Sequence, residues 1–366
     1  MAASFDPTHV DLTDPDFDLR QIICYVNAGD IEYNGHMGAR ISSIFVILLV
    51  STAFTLFPVL AKQFPGLRMP LSVYLFARYF GAGVIIATAF IHLLDPAYEE
   101  IGPASCVGMT GAWSDFSWCP ALVLTAIMAI FLVDLGAKCY VEMKYGVSDH
   151  QSIEQLVTTE QRGAGRPGTT SSSEYGRHNK NDIEQPSPND TDSEEASKGV
   201  QRIAFQQQFA AFLILEFGII FHSVIIGLNL GVAGDEFSTL YAVLVFHQSF
   251  EGLGIGARLS AIPFPRRYRW MPSVLCVAYG LTTPIAIAAG LGVRTTYNPG
   301  SFTANVVSGV LDSISAGILI YTGLVELLAR DFLFNPRDAR EGKLLTFKVV
   351  CLLLGTGIMA LLGKWA

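Results

Sequence analysis

Residues 205–232 read FQQQFAAFLILEFGIIFHSVIIGLNLGV, an apolar stretch that contains a single histidine, His222. A helix needs about 20 apolar residues to cross a hydrocarbon core about 30 Å thick, so this stretch predicts a membrane-spanning helix. A second apolar stretch, residues 240–259, holds His247 and Glu251 in the sequence HQSFEG. An ionisable side chain at bilayer depth loses its hydration and must recover that energy from a partner or a bound ion. These three residues are therefore candidate functional residues.

The composition extends this reading to the whole chain. Hydrophobic residues make up 51% of the sequence and charged residues only 15%, and the apolar residues come in long blocks. This pattern is typical of a polytopic membrane protein. We predict an all-α membrane protein with eight transmembrane helices, over residues 41–61, 73–94, 121–141, 205–232, 240–259, 271–293, 306–328 and 347–362.

The charges between these stretches predict the orientation of the chain. Lys and Arg lie in alternate connections, and such connections face the cytoplasm. Both termini are therefore expected outside. We divide the chain into an acidic extracellular segment (1–40), helices one to three (41–144), a Ser-, Thr- and Gly-rich loop (145–200), and helices four to eight (201–366). The acidic segment either attracts cations or is simply a solvated tail.

The 145–200 loop and the cysteines allow three further expectations. The polar composition of the loop predicts a disordered cytoplasmic segment. Phosphorylation or ubiquitination of this loop is left open. Cys106 and Cys119 fall in one predicted outer loop, which would allow a disulfide between them, whereas Cys24 has no evident partner.

An internal repeat relates the second and seventh predicted helices. The sequence AGVIIATAFIHLL (82–94) aligns with AGILIYTGLVELL (316–328), and it places His92 opposite Glu326. The second helix is predicted to run outward and the seventh inward, which is the inverted-repeat pattern of many transporters. His92 is then expected near the outer surface and Glu326 near the inner one, as stations on a transport pathway. Alternatively, each is an interfacial residue at a helix end.

Helical periodicity brings the candidate residues together. His247 and Glu251 are four residues apart, so both side chains can reach one ion. His222 has a comparable depth if the fourth and fifth helices form a hairpin, which the small residues Gly227, Gly231, Gly252 and Gly256 would allow to pack closely. Imidazole and carboxylate suit zinc, and also ferrous iron or manganese. The alternative is that the histidines are structural hydrogen-bonding residues.

Polar neighbours of these residues have two readings. Ser223, Gln248 and Asn229 lie on the same two helices and could orient the ligands. They could equally form hydrogen bonds between helices.

At these residues the sequence resembles the ZIP family of metal transporters, and most of all its fungal plasma-membrane zinc members. The motifs that carry the resemblance are HSVIIGLNLG (222–231) and HQSFEG (247–252). The resemblance implies eight helices in a 3+2+3 arrangement, with helices one to three and six to eight as inverted repeats. It also implies that His222, His247 and Glu251 bind the ion and that divalent cations move toward the cytoplasm. Some members have a second, adjacent metal position, but here it is occupied by Ser223, Gln248 and Thr283, so we expect one central ion.

The function expected from this reading is zinc uptake through the plasma membrane, with a vacuolar or other endomembrane location as the alternative. Zinc is then the substrate, no cofactor is expected, and Fe²⁺, Mn²⁺ and Cd²⁺ remain alternative substrates. The expected partners are the metal ion and the lipid bilayer, with no nucleic acid; a homodimer is left open. Two rivals of another class are an intramembrane zinc-dependent hydrolase, in which a ligand position is open for water, and a metal-sensing receptor.

Overall fold

The computed structural model describes residue 18 and residues 20–28, 33–64, 69–145, 190–333 and 342–365. Within these ranges all regular secondary structure is helical. Seven of the helical stretches described are long and apolar enough to cross a membrane. In hydrocarbon each backbone N–H and C=O must be bonded inside the protein, which a helix achieves within its own segment. The predicted all-α polytopic membrane protein is confirmed.

The helices follow one another along the chain with two π-helical interruptions. In chain order the helices are α1 (Arg20–Ala28), α2 (Met37–Gln63), α3 (Leu71–Ala87), α4 (Asp95–Ile101), α5 (Trp118–Tyr145), α6 (Asp190–Val232), α7 (Phe237–Ala261), α8 (Met271–Val293), α9 (Phe302–Tyr321) and α10 (Gly342–Leu362). One π-helical segment, Thr88–Leu94, joins α3 to α4, and the other, Thr322–Leu333, follows α9.

The fifth predicted membrane helix differs from the others. All eight predicted stretches lie in helices, but α7, with 25 residues, is not among the seven apolar spans. It carries Glu251 and Arg258 among several glycines and serines, and these residues lower its mean hydropathy. The helix that holds two of the candidate ligands is therefore the least apolar of the predicted spans.

The chain divides into two compact units. The first comprises residues 1–132 and 211–366, and it contains all the candidate ligands. The second comprises residues 133–210, of which the structure describes the last part of α5 and the first part of α6. The predicted disordered loop at 145–200 lies mostly outside the described residues. From Asp190 onward the backbone is helical and continuous with the fourth membrane stretch, so the predicted end of that loop at residue 200 is wrong.

Within the first unit, α7 is packed against the flanking helices. It contacts α2 and α3, while α2 also packs on α8, and α3 on α10. The side of α2 that faces these helices buries Ile47, Ser51 and Thr55, while Phe45 and Leu49 are exposed. Exposed apolar residues on a long helix are suited to contact with lipid. The polar residues of α7, among them His247 and Glu251, are buried within this packing.

The glycines of α6 and α7 make different contacts from those predicted. A Cβ added at Gly227 or Gly231 would meet Ala286 or Gly290 of α8, and one at Gly252 or Gly256 would meet Thr55 of α2. These glycines therefore bring α6 against α8 and α7 against α2, rather than α6 against α7. A small residue permits a close approach but does not specify the partner.

The cysteines also pair differently from the prediction. The disulfide joins Cys24 of α1 to Cys106, in the loop after α4. Cys119 is a free thiol in the first turn of α5, where it is fully buried against Ala97, Ile101 and Val107. The structure contradicts the Cys106–Cys119 pairing that the sequence allowed, because sharing a loop does not determine which cysteine comes nearest in space.

A buried arginine fixes the end of α6. Arg40 of α2 is completely buried, and its guanidinium donates to the carbonyls of Leu230 at 3.3 Å and Gly231 at 3.1 Å. It also donates to the carbonyl of Ala233. These carbonyls lie at the end of a helix, where they have no partner within the helix and the helix dipole favours a cation. Arg40 therefore holds the ligand-bearing helix α6 against α2.

Candidate metal centre

The structure brings together the three side chains that the sequence singles out. One ligand atom each from His222 of α6 and from His247 and Glu251 of α7 lies within 4.8 Å of the others. All three residues are at most 2% exposed. The Nε2 atom of His247 is 3.3 Å from Oε1 of Glu251, as expected for residues four apart on a helix. The histidine rings lie 5.4 Å apart between centroids.

The donor atoms of this cluster suit a divalent cation. The Nε2 atom of His222 is buried and has no hydrogen-bond partner among the described residues, while that of His247 approaches the carboxylate of Glu251. A buried nitrogen left without a partner costs free energy, which a bound cation would recover. Two imidazoles and one carboxylate are ligands that zinc accepts, and three protein ligands leave a coordination position for water. The residues present therefore fit a cation that binds without being fully enclosed.

Glu251 is oriented by two residues that the sequence reading missed. The hydroxyl of Thr88 donates to Oε1 of Glu251 at 3.0 Å, and the hydroxyl of Tyr279 donates to Oε2 at 3.4 Å. Both residues are buried, Thr88 at the start of the first π-helical segment and Tyr279 in α8. Thr88 had one signal in the sequence, because the internal repeat aligns it with Thr322. Tyr279 had none beyond being a polar aromatic residue within an apolar helix.

His92 lies beside the cluster. Its ring centroid is 4.8 Å from that of His247 and 6.4 Å from that of His222, and the residue is only 5% exposed. Its Nε2 atom is 3.2 Å from the carbonyl oxygen of Met359 in α10. The predicted position near the outer surface is therefore wrong. The π-helical segment and the packing of α3 on α10 place this histidine at the level of the candidate ligands.

Glu326 is separate from the cluster. It lies in the second π-helical segment, where its Oε2 is 3.2 Å from a guanidinium nitrogen of Arg330, and its side chain is 14% exposed. Arg258, near the end of α7, interacts electrostatically with it. The glutamate thus stands in a group of charged residues rather than among the histidines.

Ser223, Gln248 and Asn229 are predicted either to orient the ligands or to form hydrogen bonds between helices. The amide of Gln248 donates to the hydroxyl of Thr283 at 2.7 Å, which is a hydrogen bond between α7 and α8. Ser223 Oγ and Asn229 Oδ1 are buried without a hydrogen-bond partner. The helix-to-helix reading therefore holds for Gln248. An orienting role for Ser223 and Asn229 stays a prediction.

Fold and site together define a polytopic helical membrane protein with a buried His/His/Glu cluster that could hold a metal ion. Comparison with known families gives a match to the ZIP zinc transporter family over residues 37–363. The chain belongs to this family.

Individual relatives cover almost the full length of the chain. It is 57% identical to zinc-regulated transporter 1 of Saccharomyces cerevisiae, over 99% of this chain and 97% of the relative. It is 40% identical to zinc-regulated transporter 1 of Schizosaccharomyces pombe, over 94% and 89% of the two chains. With zinc-regulated transporter 2 of Saccharomyces cerevisiae it shares 35% identity, over 91% and 96%.

Proposed function

We propose that this protein carries divalent metal cations, foremost Zn²⁺, across a membrane into the cytoplasm, and that His222, His247 and Glu251 hold the ion on its way. The observation that carries the proposal is the buried cluster itself, whose ligand atoms, two imidazole nitrogens and a carboxylate oxygen, lie within 4.8 Å of one another. Relatives over nearly the whole chain are named zinc-regulated transporters, which supports zinc as the substrate.

The proposed arrangement is eight membrane helices in a 3+2+3 order, with both termini outside. In this arrangement the stretch from α3 to α4 is the second membrane helix, α6 the fourth, α7 the fifth, and α9 with its π-helical segment the seventh. One observation supports the repeat of the second and seventh helices. The π-helical segments begin at Thr88 and Thr322, which are equivalent in the internal repeat. Such segments interrupt regular helices frequently at functional sites.

The proposed ion path starts at the outer face and leads to the central cluster. His92, beside His247, is close enough to hand a partly dehydrated ion to the three ligands. Two imidazoles and a carboxylate leave positions for water, so the ion is not enclosed by four protein ligands and can leave again. Glu326, with Arg258 and Arg330 around it, lies beyond the ligands on the inner side in the proposed orientation. A rocking or sliding of the repeats would expose the cluster to each side in turn.

The proposal extends to the location, the range of substrates and the assembly of the protein. Residence in the plasma membrane is proposed from the resemblance to fungal plasma-membrane zinc transporters, with an endomembrane as the alternative. Transport of Fe²⁺, Mn²⁺ or Cd²⁺ is compatible with the same donor set. A homodimer and modification of the 145–200 loop stay predictions. The hydrolase and the receptor are disfavoured because the family is one of transporters.

The experiment that tests this function is uptake of radioactive zinc into sealed vesicles that contain the purified protein. We expect saturable uptake by the wild type and no uptake by the His247→Ala variant. Other divalent cations should inhibit zinc uptake in the order of their affinity for the transporter. Binding of zinc without any uptake by the wild type would contradict transport and favour a receptor or a hydrolase.

A further inference from the structure

Glu216 is a buried acid that the proposed site does not use. It lies in α6, six residues before His222, and is only 8% exposed. Its Oε2 atom has no hydrogen-bond partner in the part of the chain that the structure describes. A carboxylate inside a membrane is costly, and such residues commonly mark an ion pathway. The position of Glu216 on a ligand-bearing helix, about 9 Å from His222 along the axis, suggests a role in the passage of the same cation.

The packing of α6 against α8 indicates which residues of α8 lie at the level of Glu216. Gly227 meets Ala286, and Gly231 meets Gly290, so in both contacts the residue of α8 has a number 59 higher. The constant offset means that the two helices run parallel. The same offset carried back along α6 places Glu216 at the level of Leu275 and Cys276. Cys276 is fully buried, and its thiol donates to the carbonyl of Thr55 at 3.5 Å.

Glu216 also lies within electrostatic range of Cys276 and of the central site. The charge of Glu216 is close enough to influence Tyr279 of α8 as well. Tyr279, one turn beyond Cys276 on α8, donates its hydroxyl to Oε2 of Glu251 at 3.4 Å. Tyr279 and Cys276 of α8 thus form a short row of polar groups. This row leads from the candidate ligand Glu251 of α7 toward the level of Glu216 of α6. In the orientation proposed above, this row points to the cytoplasm.

We propose that Glu216 and Cys276 form a second, inner station for the transported divalent cation, occupied after it leaves His222, His247 and Glu251. The ligands would be a carboxylate oxygen and a thiol sulfur, which suit Zn²⁺ and Cd²⁺. When the sulfur–metal bond forms, the thiol proton passes to water. Two protein ligands hold an ion more weakly than three, and this permits release. The inference rests on the proposed transport function and assigns a further part of its path.

The first test removes the central site and asks whether the inner one still binds. Purified His247→Ala protein in a Cys139→Ser background, which lacks the exposed thiol, is titrated with Cd²⁺. We expect the ultraviolet absorption of a cadmium–thiolate bond, its loss on adding Cys276→Ser, and its weakening on adding Glu216→Gln. An unchanged spectrum after Cys276→Ser, or no such absorption at all, would overturn the inner station.

The second test measures zinc uptake into sealed vesicles by Glu216→Gln, with Glu216→Asp as the variant that keeps the charge and Glu236→Gln as a control at an exposed position. We expect Glu216→Gln to lower maximal uptake about tenfold, which corresponds to ~1.4 kcal/mol, with little change in KM. Glu216→Asp should recover part of the rate, and Glu236→Gln should match the wild type.

The outcomes separate this inference from the proposed function. If the wild type moves no zinc, the proposed function itself fails. If the wild type moves zinc and Glu216→Gln matches it, only the inner station fails. Equal losses in Glu216→Gln and Glu216→Asp would mean that the shape of the side chain, and not its charge, is what matters, and would also overturn the inner station.

Discussion

Glu251 has a separate partner on each of its carboxylate oxygens. Thr88 donates to Oε1 and Tyr279 to Oε2, while His247 approaches Oε1 from one helical turn away. Hydrogen bonds of this kind fix the direction of a metal ligand, and their loss commonly reduces metal affinity 10- to 100-fold, as an order of magnitude. The carboxylate is therefore held toward the histidines before an ion arrives.

This arrangement gives a prediction for Thr88. The change Thr88→Val keeps the shape of the side chain and removes the donor to Glu251. We expect zinc affinity to fall about tenfold, because a hydrogen bond to a charged group contributes roughly 1.5–3 kcal/mol. Equilibrium binding of zinc to the purified protein checks this.

The internal repeat supplies the control for that measurement. Thr322 is equivalent to Thr88, but its hydroxyl donates to the carbonyl of Ile318 in its own helix at 2.8 Å. Thr322→Val should leave zinc affinity close to that of the wild type. Equal losses in the two variants would show that the hydroxyl of Thr88 has no special function.

At this scale the sequence predicts what lies within one helix and misses what comes from another. The spacing of His247 and Glu251 is a property of the α-helix, so their convergence could be read directly. The positions of His92, Thr88 and Tyr279 depend on which face of α3 or α8 meets α7, and on a π-helical segment that shifts the register. Neither the helix face that meets α7 nor the π-helical segment produces a periodic pattern of residues that can be recognised in the sequence.

Among the elements, α7 and α2 are held together by direct backbone contact. A Cβ added at Gly256 would lie only 2.1 Å from the carbonyl oxygen of Thr55, and one at Gly252 would lie 2.6 Å from the hydroxyl of the same residue. A backbone carbonyl in a packed helix cannot move aside as the end of a flexible side chain can. The close packing that positions His247 and Glu251 therefore depends on glycine at these places.

The change Gly256→Ala should accordingly destabilise the protein. Overpacking of this kind typically costs about 1–3 kcal/mol, so we expect a lower yield of folded protein and a lower temperature of unfolding in detergent. The matched control is Gly292→Ala in α8, where no atom lies within 4 Å of the added Cβ. That variant should be as stable as the wild type or slightly more stable, because Ala favours a helix by up to about 1 kcal/mol over Gly. Equal stability of the two variants would contradict the packing of α7 on α2.

The disulfide makes a second prediction about elements. The structure has free thiols at Cys119, Cys139, Cys276 and Cys351. Labelling of the denatured, unreduced protein should therefore modify these four cysteines and no others. In Cys24→Ser, Cys106 should become reactive as well, and in Cys119→Ser only the reactivity of residue 119 should disappear. A peptide that links Cys106 to Cys119 would contradict the pairing.

The positions of the helices are easier to predict from the sequence than the partners against which each helix packs. Runs of about 20 apolar residues revealed all the long helices, including α7, which is only marginally apolar. The partners of Gly252 and Gly256, by contrast, could not be read, because a small residue looks the same whichever helix approaches it. For Cys106 the difficulty is similar, since six cysteines allow many pairings.

Over the whole molecule, the proposed orientation predicts which loops are reached from outside the cell. The connection between α6 and α7 contains the exposed Asp235, and the connection between α7 and α8 contains the exposed Arg267. Loops rich in Arg face the cytoplasm, so the neighbouring loop with Asp235 should face outside. In a Cys139→Ser background, Asp235→Cys should therefore react with a membrane-impermeant thiol reagent on intact cells. Arg267→Cys should react only after permeabilisation. The reverse pattern would invert the orientation.

An ion pair joins the two predicted repeats away from the central cluster. A guanidinium nitrogen of Arg78 in α3 lies 2.8 Å from Asp331 in the second π-helical segment. Arg258 interacts electrostatically with both residues and with Glu326. This charged group lies toward the inner ends of its helices in the proposed orientation, so it would have to rearrange when the pathway opens to that side. The internal repeat could be read from the sequence, but these contacts between its copies could not.

The central claim is that His222, His247 and Glu251 hold the transported ion, and X-ray absorption at the zinc edge tests it most directly. Purified protein loaded with one equivalent of zinc should show two imidazole ligands with Zn–N distances of about 2.0–2.1 Å, completed by oxygen ligands. His247→Ala should lose one imidazole from this spectrum. A shell dominated by sulfur, or a spectrum that His247→Ala leaves unchanged, would place the ion elsewhere and contradict the account.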